Sequence, residues 1–294
     1  MTNKNTIFTG VGTAIITPFK NGKIDYSSLD GLIDFQIKSG VGAIILLGTT
    51  GEASTISERE RGEIIAFAYE KIKKRVPLIV GCGTNNTEVS IRYCKNAREL
   101  GADALLLVSP YYNKASTRGL IYHYEAIAKS VDLPIILYNV PSRTGVNIPV
   151  SVYRGLLRTP NIVGIKEASG NISYLTEILD TCGDFFDIYS GNDDLTLPTL
   201  ALGGKGVISV CSNIVPSKMA LLCKSFFYGD LASARKIQLE LNSLIKALFC
   251  EVNPIPIKYA CSLLGFCQNE LRLPLCPTEK QEEIKIALEK YGLI

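Results

Sequence analysis

One repeated beat constrains this chain more than any other feature. A short apolar segment ends in a polar or glycine-rich turn, an amphipathic stretch follows, and another apolar segment begins, usually after Pro or Gly. Eight such segments are predicted as strands, at residues 12–16, 43–47, 78–80, 104–108, 135–138, 163–166, 187–190 and 206–210. Their nearly unbroken apolar character is that of strands buried on both faces. Helices are predicted between them, at residues 28–38, 58–73, 88–100, 118–129, 150–158, 173–180 and 195–202. Ser57 followed by Glu60 forms a capping box, and Thr87 with Ser90 forms a weaker cap. Gly40, Gly101 and Gly183 fall where helices stop.

Strands that alternate with helices pair in parallel through crossovers. A closed barrel and an open doubly wound sheet both satisfy that rule. Eight beats in about 215 residues favour a (β/α)8 TIM barrel, whose usual size is ~250 residues. A dinucleotide-binding sheet needs Gly-x-Gly-x-x-Gly after its first strand. Here Thr17-Pro18-Phe19 stands in that place, and Gly81-Cys82-Gly83 after the third strand lacks the third glycine. After residue 210 the beat stops. Residues 216–228, 231–248, 255–264 and 278–291 are helical in period, with Pro254 and Pro256 setting off the third of them. The expected organisation is therefore a catalytic barrel over residues 1–229 and an all-helical appendage over residues 230–294.

Composition excludes several classes of function. With 47% hydrophobic and 20% charged residues the chain has a globular balance, and no apolar run approaches the ~20 residues of a membrane-spanning helix. The net charge of +3 is spread along the chain. Its densest basic run, Lys71-Ile72-Lys73-Lys74-Arg75, falls at the end of a predicted helix, where cations suit the helix dipole. Neither a nucleic acid nor a membrane is expected as a partner. Nine cysteines without a Cys-x-x-Cys pair, and a polar opening at residues 1–6 without a signal peptide, point to reduced thiols and a cytoplasmic location. The single histidine, His123, excludes a His-rich zinc site. Lying inside a predicted helix, it reads as a structural or surface residue.

Barrel chemistry sits at the C-terminal ends of the strands, so the residues there carry the functional argument. Lys166 ends the sixth predicted strand and its stem should cross apolar surroundings. Burial disfavours the ammonium form, and a neutral amine attacks a ketone to give an imine. Position alone leaves open a lysine that is ion-paired with Glu167. Tyr138, at the end of the neighbouring strand, tips the balance. Imine formation needs a proton carrier, and a phenol supported by the hydroxyls of Thr49, Thr50, Tyr111 and Tyr112 supplies one. The turn Gly48-Thr49-Thr50-Gly51 offers backbone N–H groups and two hydroxyls to a carboxylate. Arg143 offers a planar fork to a second one.

These residues stand in longer motifs: Gly48-Thr49-Thr50-Gly51-Glu52, Pro110-Tyr111-Tyr112, Tyr138-Asn139-Val140-Pro141-Ser142-Arg143-Thr144-Gly145, Gly164-Ile165-Lys166-Glu167-Ala168-Ser169-Gly170 and Gly203-Gly204-Lys205-Gly206-Val207-Ile208-Ser209. In that order, and over essentially the whole chain, they resemble the dihydrodipicolinate synthase family of the N-acetylneuraminate lyase and class I pyruvate aldolase superfamily. The resemblance implies condensation of pyruvate with L-aspartate semialdehyde in lysine biosynthesis, without a metal or organic cofactor. It implies that Lys166 holds pyruvate as an imine and that Tyr138, Thr49 and Tyr112 relay protons, with Tyr112 reaching in from a neighbouring subunit of a homotetramer. Thr49 and Thr50 would hold the pyruvate carboxylate, Arg143 the carboxylate of the aldehyde, and Gly191 and Ile208 would give backbone contacts near pyruvate. An N-acetylneuraminate lyase or sugar-acid aldolase resembles the chain in the lysine, the tyrosine and the glycine-rich turn, whereas Arg143 and the double threonine resemble the synthases. A barrel that only senses a small acid would not need Lys166, Tyr138 and Thr49 intact. One departure concerns feedback. Where lysine-sensitive bacterial members carry a histidine pair, this chain has Glu58 and Arg61. Their lysine-binding glutamate corresponds to Val89, with Glu88 one residue away, while Asn85 and Tyr111 still match. Weak or absent inhibition by lysine is expected.

Overall fold

The computed structural model describes residues 6–294. Residues 1–5, part of the opening expected to carry no signal peptide, lie outside the described residues. The elements run β1 (Gly10–Ala14), β2 (Phe19–Lys20), β3 (Lys23–Ile24), α1 (Tyr26–Lys38), β4 (Ala43–Leu46), α2 (Glu58–Ile72), β5 (Leu78–Gly81), α3 (Thr87–Glu99), β6 (Ala104–Val108), α4 (Thr117–Ser130) and β7 (Ile135–Asn139). They continue as α5 (Pro141–Thr144), α6 (Val150–Leu156), β8 (Ile162–Glu167), α7 (Ile172–Cys182), β9 (Asp187–Ser190), α8 (Thr196–Ala201), β10 (Gly206–Ser209), α9 (Pro216–Phe227), α10 (Leu231–Leu248), α11 (Ile255–Leu263) and α12 (Gln281–Tyr291). The eight expected strands close into one barrel in the order β1-β10-β9-β8-β7-β6-β5-β4. Every neighbouring pair in it is parallel.

Alternation along each strand divides the apolar residues between two cores. Ala43, Ile45, Ile79, Ala104, Leu106, Ile136 and Ile208 fill the barrel interior. Ile44, Leu46, Leu78 and Val80 face outward and join the layer under the helices. Phe8, just before β1, plugs the N-terminal end: its ring stacks on Tyr189 at 4.3 Å, and the Tyr189 hydroxyl donates to the Phe8 carbonyl at 2.8 Å. Gly12 is glycine for a steric reason, since a Cβ there would lie 2.7 Å from Ile45 Cδ1. The filled lower barrel leaves the C-terminal rim as the place for chemistry. α9 lies against β1, and α10 packs on α9 and α12. No helix among the described residues is long and apolar enough to cross a membrane.

Local signals explain most helix ends. Ser57 and Glu60 make the expected capping box at α2. At α3 the cap is Asn86, whose side chain accepts from Val89 N, and not Thr87, whose hydroxyl instead lies 2.9 Å from His123 Nδ1. The basic run at residues 71–75 is occupied by acid: Lys71 pairs with Asp30 and Asp34 at 2.8 Å each, and Arg75 with Asp34 at 3.0 Å. Most boundaries fall within two residues of expectation, and two of the differences have a plain cause. β1 runs over Gly10–Ala14 instead of 12–16, because pairing with Gly206–Ser209 fixes its register. α12 begins at Gln281 instead of 278, because the Thr278 hydroxyl is bonded to Glu251 and accepts from Lys280 N at 3.0 Å. The β2–β3 hairpin was not expected. Its Asn21-Gly22 turn, with φ of +54° and +75°, is the usual signal for one.

Candidate active site

Lys166 and Tyr138 meet because of strand register. They are direct partners on adjacent strands β8 and β7, so alternation turns both into the barrel. The Lys166 ammonium nitrogen sits 4.2 Å from the centre of the Tyr138 ring. The lysine is only 6% exposed, yet it makes no hydrogen bond or ion pair with any described residue. The alternative of an ion pair with Glu167 is excluded by direction. Glu167, one residue on, turns out of the barrel and accepts from Asn139 Nδ2 at 2.8 Å and from Ser169 N at 2.5 Å. Burial raises the Glu167 carboxyl above its ordinary range, and those two bonds oppose the shift.

Gly191, after β9, makes room for the lysine stem. A Cβ there would lie 3.1 Å from Lys166 Cε and 2.5 Å from Ala168 Cβ, while the Gly191 N–H donates to the Glu167 carbonyl at 2.6 Å. Ile208 on β10 is wholly buried and forms part of the floor. Asp193 is also buried near the rim. Its Oδ2 accepts from Val210 N and Cys211 N at 3.0 and 2.9 Å. Burial raises its carboxyl, against the pull of Ser209, the two N–H groups and Lys166.

Above the floor lies a cavity of about 620 Å³. Thr49, Tyr111, Tyr138 and Arg143 line it. Lys166, Thr50, Gly191 and Ile208 lie outside that lining. The turn after β4 is held by Gly51 N donating to the Gly48 carbonyl and Glu52 N to that of Thr49, both at 3.1 Å. The Thr49 and Thr50 N–H groups donate to no described residue, so two of the turn's donors remain open to a carboxylate. Tyr112 is not brought to the site. It is 91% exposed and its φ is +70°, with the side chain projecting away from this protomer.

One residue of the site gave no sequence signal. Asn253, between α10 and α11, donates from Nδ2 to the Thr50 hydroxyl at 3.1 Å. Its carbonyl accepts from Arg143 Nη2 at 3.1 Å. The C-terminal helices thus close over the rim and hold both carboxylate-binding candidates; only the neighbouring prolines marked this segment. At the far end of the cavity Arg61 is buried, donating to the Gly81 carbonyl at 2.5 Å with its guanidinium 4.2 Å from the Tyr93 ring. Glu58 is drawn away by Arg92 at 2.6 Å. His123 is buried, as a structural histidine is, and burial lowers it to about 4. Among the described residues no group of three or more His, Cys, Asp or Glu could hold a metal ion.

Comparison with known proteins agrees with this geometry. The model of the dihydrodipicolinate synthetase family matches residues 7–290. The 4-hydroxy-tetrahydrodipicolinate synthase of Alkaliphilus oremlandii is 49% identical over 290 residues, covering 98% of this chain and 100% of that protein. The synthase of Acetivibrio thermocellus is 51% identical, with 98% and 99% covered. The crystal structure of dihydrodipicolinate synthase from Thermotoga maritima superposes with a TM-score of 0.97 at 44% identity, covering 98% of this chain and 100% of that one. A barrel of the same closed order, the motifs along its rim and a full-length match lead to one conclusion: this chain belongs to the dihydrodipicolinate synthetase family.

Proposed function

We propose that this protein condenses pyruvate with L-aspartate semialdehyde to 4-hydroxy-tetrahydrodipicolinate, the step that leads through diaminopimelate to lysine. The observation that carries the reading is Lys166, buried at the barrel mouth, unpaired, and set against Tyr138. Its amine attacks the pyruvate ketone, and loss of water gives an imine. Loss of a methyl proton gives an enamine, whose carbon attacks the aldehyde. The amine of the semialdehyde then displaces Lys166 and closes the ring. Tyr138 with Thr49, and Tyr112 from a neighbouring subunit, carry the protons. Thr50 and the open N–H groups of its turn hold the pyruvate carboxylate, and Arg143, steadied by Asn253, holds that of the aldehyde. Gly191 and Ile208 shape the pyruvate end. No metal or organic cofactor takes part.

The exposure of Tyr112 supports the shared relay and hence a homo-oligomer, a tetramer built as a dimer of dimers. The catalytic barrel would span residues 1–229 and the helical domain residues 230–294, in the cytoplasm. Buried Arg61, a cation where an amine ligand would have to sit, supports weak or absent inhibition by lysine; substantial inhibition at micromolar lysine would sink that point. Turnover with pyruvate and aspartate semialdehyde, set against pyruvate with sugar aldehydes, tests the substrate assignment. Preference for a sugar aldehyde would move the enzyme to the lyases of the superfamily.

A further inference from the structure

Directly behind Lys166 and Tyr138 lies a buried polar cluster that the chemistry above does not use. Asn139 and Glu167 follow Tyr138 and Lys166 on their strands and are themselves register partners. By alternation they sit on the opposite face of the barrel wall from the two reacting side chains. Asn139 is wholly buried and Glu167 nearly so. The Asn139 amide has both hydrogens in use: Nδ2 donates to Glu167 Oε2 and to Asn147 Oδ1, each at 2.8 Å. Its Oδ1 accepts from Ile148 N at 3.0 Å. A backbone N–H only donates, so this last bond fixes which end of the amide is oxygen. The other Glu167 oxygen accepts from Ser169 N at 2.5 Å, and the Asn139 carbonyl accepts from Ala168 N at 2.9 Å.

The cluster therefore ties three things together: the end of the Tyr138 strand, the end of the Lys166 strand, and the segment 147–148 that closes the loop carrying Arg143. We propose that Asn139 and Glu167 are positioning residues, a buried amide–carboxylate clasp of fixed polarity that sets the approach of Lys166 to Tyr138 and the aim of Arg143. This rests on the imine reading of Lys166. The clasp touches no substrate. It acts through geometry, and displacements well under a hydrogen-bond length at such a pair cost rate.

Fixed polarity makes the clasp testable by exchanging donor and acceptor. In Glu167→Gln one end must still accept from Ser169 N, so its amide faces the amide of Asn139, donor to donor. Asn139 cannot rotate to relieve this without losing Ile148 N. In the double variant Asn139→Asp/Glu167→Gln, the aspartate accepts from both Ile148 N and the glutamine amide, Asn147 turns its amide to donate, and net charge is kept. The experiment measures kcat, KM for pyruvate and the rate of borohydride-trapped adduct formation, with thermal unfolding alongside. Expected is a fall in kcat and trapping rate of ten- to a hundredfold in Glu167→Gln, with KM for pyruvate within threefold, and recovery of at least tenfold in the double variant. Wild-type kcat in Glu167→Gln with only a lowered Tm would assign the clasp to stability and overturn the proposal, as would a double variant no better than the single one. If Glu167→Gln does not fold, the double variant stands against wild type: kcat within tenfold sustains the clasp, and any larger loss overturns it. Absence of a trapped adduct in the wild type would instead strike at the imine reading itself.

Discussion

Among the described residues two lysines are buried, and their surroundings are opposite. Lys258 lies in the seam where α11 meets the turn after β4. It is wholly buried, 2.5 Å from Glu52 Oε1, 2.7 Å from the Glu270 carbonyl, and 4.0 Å from the Phe19 ring. Burial pushes its ammonium below the ordinary value, and Glu52 pulls the other way. Lys166, at the barrel mouth, has an aromatic face and no hydrogen-bond acceptor among the described residues. At the seam the ammonium is held by a carboxylate and a carbonyl, whereas at the mouth the nitrogen meets an aromatic ring and makes no hydrogen bond. A buried amine bonded to a carboxylate and a carbonyl and set over a ring is held in place; one that makes no hydrogen bond is left free to meet a substrate. The comparison separates a lysine that builds the site from the one proposed to work in it.

The sharpest way to break that contrast is to remove each lysine. Lys166→Ala should lower kcat on the order of 10⁴-fold or more, as loss of a covalent nucleophile does, with Tm near the wild-type value because no hydrogen bond or ion pair is lost. A retained rate in steady-state assays would end the assignment. Lys258→Ala should do the reverse. It leaves the Glu52 carboxylate buried without its cation, at a cost of ~3–5 kcal/mol, read by denaturant unfolding. Its effect on kcat should be far smaller and should follow the loosened turn that carries Thr49 and Thr50.

The seam also bears a more exposed pair that sharpens the contrast by degree. Arg272 holds Glu60 at 2.6 Å and covers Phe19 at 4.4 Å, and lowers the Glu60 carboxyl to about 2. The folded value lies below the ordinary one, so this stability is present in full above about pH 5 and is lost as pH falls toward 2. Arg272→Ala should therefore cost ~1–2 kcal/mol at neutral pH and flatten that part of the acid profile. His123, away from both lysines, has its own window. Burial holds it neutral down to about pH 4, while the unfolded chain takes up its proton near pH 6.5. Stability should fall as pH drops through that interval, by ~1–3 kcal/mol. His123→Gln should remove the slope there and leave activity near neutrality unchanged. An unaltered slope in that variant would place the titration elsewhere.

The contrast between the two lysines also shows what the sequence made legible. Lys166 and Tyr138 were readable because each ends an unbroken apolar strand, and a polar residue in that place is an exception that local pattern reveals. The barrel followed from the same periodicity, repeated eight times. Lys258 was not readable. It sits inside α11 among residues of ordinary helical spacing, and its partner Glu52 is 206 positions away in sequence. Asn253 escaped for the same reason, since its two bonds, to Thr50 and Arg143, exist only after the C-terminal helices have docked. The Asn139–Glu167 bond lay between, with both residues inside recognised motifs and the register that joins them set by the barrel. Tyr112 carries a further lesson. Its motif was plain, but in one protomer its side chain points to solvent, so the relay role proposed for it requires a neighbouring subunit.

The central claim is that Lys166, and not the more deeply buried Lys258, is the reactive amine. The direct test is incubation with pyruvate, reduction with borohydride, intact-mass measurement and peptide mapping. The account predicts one pyruvate-derived adduct per chain, on the peptide that contains Lys166, and none in Lys166→Ala. A folded protein that takes up no adduct, or carries it on Lys258, would contradict it.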